Sequence, residues 1–232
     1  MILNHTAFFD SVRASLFNGN ITTKQFTGMQ AILARGMNSF TVPRRIAYML
    51  ATAYHETDKT MQPIAEYGKG KGKPYGKVDP KTGEAYYGRG LVQLTWADNY
   101  KRMGKILGLP LYESPALAME MPIAVRIMYE GMERGLFTGK ALDDYFNATT
   151  DDPVNARRIV NGTDKAQLIA GYHYKFLDAA VAVAKPVIAP LSYVVPMPQP
   201  TVLSLANSPA GPLAAIAALI AAIGAGLWMW WK

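Results

Sequence analysis

Charge stops abruptly in this sequence. All 17 acidic residues and all but one of the 24 lysines and arginines lie within residues 1–185; none lies between Pro186 and Trp231, and Lys232 closes the chain. The chain therefore reads as three parts. Residues 1–185 form the globular domain. Residues 186–212 hold seven of the fifteen prolines, and Val195-Pro196-Met197-Pro198-Gln199-Pro200 fits an extended, semi-rigid linker. Residues 213–232 contain a run, Leu213–Trp231, of nineteen uncharged residues rich in Ala, Ile and Leu. As a helix, at ~1.5 Å per residue, that run spans about 28 Å, close to the hydrocarbon thickness of a bilayer. Trp228, Trp230 and Trp231 beside Lys232 suit an interfacial anchor. The competing reading is a buried core helix, but an exposed proline-rich arm leads into the segment, so one C-terminal transmembrane helix is expected. The N-terminus, with Asn4, Asp10 and Arg13 among its apolar residues, has no signal-peptide core.

Composition removes several chemistries. Without cysteine there is no disulfide scaffold, thiol nucleophile or thiolate zinc site. His5, His55 and His173 leave little for a metal cage, and His55-Glu56 is followed by Lys59 where a zincin requires a second histidine. No metal and no cofactor are expected. The net charge of +7 favours a polyanionic partner: nucleic acid, anionic lipid or an acidic cell wall.

Helical periodicity dominates residues 1–185, so the domain is expected to be mainly α. Pro43 suits the first turn of a helix, followed by Ile46, Met49, Leu50 and Ala53 at helical spacing. Met121–Arg134 is a second helix, with Pro122 near its start and Gly135 after its end. Pro153–Val160 is a third, stopped by Asn161-Gly162. A fourth runs from Thr163 or Asp164 into the alanines before Lys185. Glu66–Gly90, full of Gly, Lys, Pro and Tyr, reads as a loop or short hairpin turning at Asp79-Pro80-Lys81-Thr82-Gly83.

Glu56 falls on the apolar stripe of the Pro43 helix, near its end. Desolvation there disfavours a carboxylate's charged form, which is what a general acid needs. A glutamate at a helix end also serves as a plain solvated charge or cap. Glycoside cleavage requires a second carboxylate; Glu66, Asp79 and Glu84 all lie in the following glycine-rich region, and spacing alone does not choose among them. Tyr87-Gly88-Arg89-Gly90-Leu91-Val92-Gln93-Leu94-Thr95 places two glycines around an arginine, with Gln93 and Thr95 as short polar groups suited to a sugar hydroxyl or a water.

His55-Glu56-Thr57, the glycine-rich loop, the Gly88–Thr95 block with Asn99-Tyr100, and Ile159-Val160-Asn161-Gly162 follow the order seen in glycoside hydrolase family 19. The chain resembles that family over about Ala31 to Leu177, and within it the phage and bacterial endolysin branch. The resemblance implies a two-lobed, lysozyme-like helical fold and an inverting mechanism. It makes Glu56 the general acid and Glu66 the base, with Thr95 helping to hold the attacking water. Gln93, Asn99 and Asn161 would line the sugar groove. The chitinases of the family carry their base further from the acid, in a cysteine-bearing loop absent here.

The expected function is hydrolysis of the β-1,4 amino-sugar backbone of peptidoglycan in phage lysis. The expected partners are glycan strands and, through residues 213–232, a lipid bilayer, with no nucleic acid. The enzyme would be membrane-anchored and act on the cell wall, in the periplasm or host envelope. The alternatives are a chitinase, a tethered sugar-binding module without catalysis, and a holin-like protein. Gly68-Lys69-Gly70-Lys71-Gly72-Lys73-Pro74 imitates a phosphate loop, yet no Gly-Lys is followed by Ser or Thr. Its lysines read as a solvated loop or as an electrostatic guide toward an acidic wall.

Overall fold

Pro43 has no amide hydrogen to lose at a helix start, and it opens α3 (Pro43–Glu56), the central helix of the domain. The computed structural model describes residues 5–38 and 43–182. Eight consecutive side chains of α3, Ala47 to Tyr54, are buried, so the helix is covered on every side rather than along one stripe. α6 (Ala166–Ala182) lies most extensively against it, and α1 (His5–Leu16) packs on α6 in turn. α2 (Thr23–Asn38) rests on α3 and on α5 (Met121–Glu133), and α4 (Ala97–Leu107) adds a further layer against α5.

Aromatic rings fill the junction of α1, α3 and α6. Tyr54 meets Phe17, Tyr172 and Phe176 edge-on, with centroids 5.2, 4.8 and 6.0 Å away, and its hydroxyl donates to the Leu16 carbonyl at 2.6 Å. That bond satisfies the one polar atom the packing would otherwise strand. Across the domain, the Tyr129 hydroxyl of α5 donates to the Ile32 carbonyl of α2 at 2.8 Å. Arg45, at the start of α3, reaches the Phe146 carbonyl and the carboxylates of Glu133 and Asp143, fastening α3 to the end of α5.

The expected helices at Pro43 and Met121 are present. The fourth is α6, beginning at Ala166. Pro153–Val160 differs: Asn155–Ile159 forms a 3-10 turn, and the Asn161 amide closes back on the Arg157 carbonyl at 3.0 Å. The Asp152 carboxylate accepts the Asn155 amide and side chain, an N-cap that starts this short turn.

The Gly-rich middle is a hairpin-like excursion. β1 (Ile64–Ala65) and β2 (Arg89–Gly90) pair antiparallel, Ile64 opposite Gly90 and Ala65 opposite Arg89, and tie its two ends together. Its far turn lies at Asp79–Gly83, as the Asp-Pro-Lys-Thr-Gly pattern predicts: the Gly83 amide donates to the Asp79 carbonyl at 2.8 Å.

The fold is mainly helical. The chain divides into two units, Met1–Val187 and Ile188–Lys232, and everything described belongs to the first. Among the described residues no helix is long and apolar enough to cross a membrane. The expected linker and transmembrane helix, residues 186–232, lie outside the described residues.

Candidate active site

Two groups of side chains gather the residues singled out in the sequence. The first is at the end of α3. Glu56 is the last residue of that helix, and the chain leaves it sharply. The Thr57 hydroxyl donates to the Ala53 carbonyl at 2.7 Å and accepts the Met61 amide at 3.0 Å, while Asp58 and Lys59 take left-handed φ of 48° and 65°. In the His55-Glu56-Thr57 triplet, threonine therefore builds the exit that fixes glutamate at the rim.

Glu56 is not left alone on its apolar face. Arg157 Nη1 donates to Glu56 Oε1 at 2.5 Å, with side-chain exposures of 4% for the arginine and 15% for the glutamate. A buried counter-charge meets the desolvation that the position imposes. Arg157 is itself aimed by its Nε, which donates to the Asp164 carbonyl at 3.1 Å. Its carbonyl accepts the Asn161 amide, so one short turn positions both Arg157 and Asn161; the Asn161 side chain is exposed and accepts from the Gly162 amide at 2.8 Å. Burial pushes the Tyr48 phenol above its ordinary value, with the nearby Arg157 charge opposing and Glu56 adding to the rise. Burial lowers the His55 imidazole, so this neighbour of Glu56 leans toward its neutral form.

The second group is built on the hairpin. Glu66 follows β1 directly. Its carboxylate accepts the Tyr75 hydroxyl at 3.1 Å on one oxygen and the Gly88 amide at 3.2 Å on the other, and its own amide donates to the Gly88 carbonyl at 2.7 Å. At Gly88 the missing side chain leaves room for Gln93: a Cβ there would come within 2.8 Å of Gln93 Oε1 and 3.3 Å of Gln93 Cβ. Gln93, at φ 52°, turns its amide nitrogen inward to the Ile64 and Gly90 carbonyls at 3.1 and 3.3 Å. The Thr95 hydroxyl donates to the Gln93 carbonyl at 2.7 Å, and Asn99 Nδ2 donates to the Thr95 carbonyl at 2.9 Å. Glu66, Gln93, Thr95 and Asn99 thus share one hydrogen-bonded frame. Beneath it the buried Arg89 lies 3.6 Å from the centre of the Tyr87 ring and donates to the Tyr100 hydroxyl at 3.1 Å.

Among the described residues no hydrogen bond or ion pair joins Glu56 to Glu66 directly; the exposed Tyr67, donating to Asp58 at 3.2 Å, connects the two segments. Asp79 and Glu84 are placed otherwise. Asp79 accepts from the Tyr112 hydroxyl at 2.6 Å and caps its own turn, and the Glu84 carbonyl closes that turn through the Asp79 amide. Sequence reasoning passed over Arg157 and Tyr75. Arg157 is 101 positions from its glutamate, and no local pattern connects them. Among the described residues no group of three His, Asp or Glu side chains stands together as a metal cage would require.

No family model matches the chain. Two endochitinases of Arabidopsis thaliana are similar to it. One is 35% identical over 150 residues, 62% of this chain and 52% of that protein; the other is 37% identical over 123 residues, 50% and 43% respectively. The chain spans about half the length of the curated relatives it matches. Among solved structures, chitinase C from Streptomyces griseus covers 79% of this chain and 77% of its own, at 21% identity and a TM-score of 0.52. A bacterial family 19 chitinase gives 78% and 95%, at 22% identity and a TM-score of 0.48. The domain therefore has a chitinase-type helical fold. The resemblance to glycoside hydrolase family 19 is borne out by the plant relatives and by that fold together.

Proposed function

We propose that the chain is a glycoside hydrolase that cuts the β-1,4 amino-sugar backbone of peptidoglycan by inversion. The observation that carries this reading is the contrast between its two candidate carboxylates: Glu56 rests on a buried arginine, whereas Glu66 is held by a phenol and a backbone amide. Two carboxylates in different surroundings are suited to two roles.

In this mechanism Glu56 carries its proton on the oxygen that Arg157 does not hold and gives it to the leaving glycosidic oxygen as the bond to C1 breaks. A water attacks C1 from the opposite sugar face, and Glu66 takes the proton it loses. Thr95 already directs its hydroxyl hydrogen to the Gln93 carbonyl, so its oxygen offers lone pairs to that water. Arg157 holds the Glu56 side chain in one orientation. Asn99 and Asn161 contribute polar edges for sugar hydroxyls. Inversion requires carboxyls about 6.5–9.5 Å apart or more, leaving room for the water. Residues 213–232 are proposed as the tether that keeps the enzyme at a membrane beside the wall.

A second reading, cleavage of chitin, is favoured by the relatives, which are endochitinases. Mass analysis of fragments released from purified peptidoglycan and from chitin separates the two. Inversion releases the α-anomer first; early β-product would mean retention and a nucleophile instead of a base. Glu66→Gln should lower the rate at least ~100-fold, and far more than Glu84→Gln. A larger loss at Glu84 would transfer the role of base.

A further inference from the structure

The segment after Glu66 is neither catalytic nor loose. The Lys69 amide donates to the Glu66 carbonyl at 2.9 Å, Lys71 to Gly68 at 2.8 Å, Lys73 to Gly70 at 2.9 Å and Gly76 to Lys73 at 3.1 Å, a chain of interlocked turns. Gly70 and Gly76 lie back to back: a Cβ on Gly76 would sit 1.9 Å from the Gly70 oxygen. This knob exposes Lys69, Lys71, Lys73 and Lys77, and among the described residues no carboxylate pairs with any of them. Tyr75, inside the knob, bonds Glu66 through its hydroxyl, and its ring meets Trp96 edge-on at 5.3 Å. Trp96 is half exposed and held at φ 76°, ψ 135°, a backbone region that only glycine enters freely. Trp96 thus holds a strained backbone and an exposed indole directly beside Thr95.

Resting on the glycosidase reading above, we propose that Trp96 and the lysine knob form a subsite for acidic substituents of the glycan. The indole takes the face of a sugar ring, and Lys69, Lys71, Lys73 and Lys77 take carboxylates borne by the strand. A neutral amino-sugar polymer gives these lysines no partner. A carboxylate-bearing strand does, through exposed charges that salt screens.

The test uses the full chain with two wall preparations, native peptidoglycan and the same material with its carboxyls chemically amidated. Retention and cleavage are both measured. Retention on native wall at ~20 mM salt should exceed that on amidated wall about tenfold, and the difference should vanish near ~0.5 M salt. The triple change Lys69→Gln, Lys71→Gln, Lys73→Gln should abolish the discrimination, while arginine at the same positions preserves it. Trp96→Ala should weaken retention on both preparations about fivefold. Equal retention of the unchanged protein on both walls, or full discrimination by the glutamine variant, overturns the subsite. Absence of cleavage with the discrimination intact would instead remove the hydrolase reading and leave the subsite standing.

Discussion

Tyr54 and Glu66 lie close in sequence and are held in opposite ways. Tyr54 sits among the rings of Phe17, Tyr172 and Phe176 and meets the backbone once, through Leu16. Glu66 is placed by the Tyr75 hydroxyl and by bonds to the Gly88 amide and carbonyl, in a segment whose turns are backbone bonds between near neighbours. The helical scaffold depends on buried apolar area, which is non-directional and spread over many side chains. The hairpin depends on directional bonds and on glycines that permit close approach. Damage to the first should lower the stability of the whole domain, and damage to the second should alter the site while the helices persist.

The largest effect is expected where the scaffold meets the site, at Arg157. Arg157→Met leaves the Glu56 carboxylate in its partly buried position without a counter-charge and should cost about 3 kcal/mol of stability. The measurement is a fall in denaturant midpoint at unchanged slope. Glu56→Gln should cost less stability, because the amide oxygen still accepts from Arg157. Its wall cleavage should nevertheless fall at least ~100-fold, equivalent to about 2.7 kcal/mol on the barrier. If the glutamine variant cuts at a near-normal rate, Glu56 is not the acid.

The next effect sharpens the scaffold side alone. His173 of α6 is fully buried, lies 5.2 Å from the Phe146 ring and 5.8 Å from the Tyr48 ring, and among the described residues neither of its nitrogens has a hydrogen-bond partner. Burial lowers its pKa from 6.5 to about 4, against the attraction of Asp151 and Asp178 and with the repulsion of Arg44. Between those values the unfolded chain binds the proton that the folded chain refuses. This stabilising contribution is complete above pH 6.5 and is lost as pH falls toward 4, amounting to about 2 kcal/mol by pH 5. His173→Phe, which keeps an aromatic ring against Phe146, should flatten that limb of the stability profile. An unchanged pH 7 to pH 5 difference in the variant would assign the acid sensitivity to other groups.

The scaffold was far more legible than the site. α3 and α5 announce themselves by a proline at the start and an apolar period, because a helix is a local object. Even the start of α2 is written locally. The Gln25 side chain accepts the Thr22 amide at 2.9 Å and the Thr22 hydroxyl accepts the Gln25 amide at 3.2 Å, a reciprocal cap in a Thr-x-x-Gln pattern that the periodicity reading passed over. Pro153–Val160 reads as a helix, and the structure confines it to the 3-10 turn Asn155–Ile159, with Asp152 capping its start. At the site, residue types were visible but partners were not. Gln93 reads as a sugar-binding amide, and no spacing rule shows that its amide nitrogen also ties the hairpin together. Glu56 reads as a carboxylate on an apolar edge, and its arginine comes from a distant turn that no spacing rule reaches.

The smallest effect, that of a change at Gly76, tests the contrast most directly when it is set beside a like substitution in the scaffold. Gly28 in α2 and Gly76 in the knob both lie against backbone: an added Cβ would come within 1.8 Å of the Met61 oxygen in the first case and 1.9 Å of the Gly70 oxygen in the second. The local insult is the same, but the surroundings differ. Gly28 is in a helix packed on α3 and α5, so Gly28→Ala should push rigid elements apart and lower stability by about 1–3 kcal/mol. Gly76 belongs to turns bonded to one another on the surface, and these can open without disturbing the packed rings. Gly76→Ala should therefore cost less than about 1 kcal/mol of global stability, since the displaced groups find water. It should also shift Tyr75 away from Glu66 and lower wall cleavage about tenfold, equivalent to ~1.4 kcal/mol on the barrier. Unfolding curves and kcat/KM measured on both variants decide the matter. If Gly76→Ala unfolds the domain as severely as Gly28→Ala, the knob is part of the scaffold. If it leaves cleavage untouched, Tyr75 does not position Glu66.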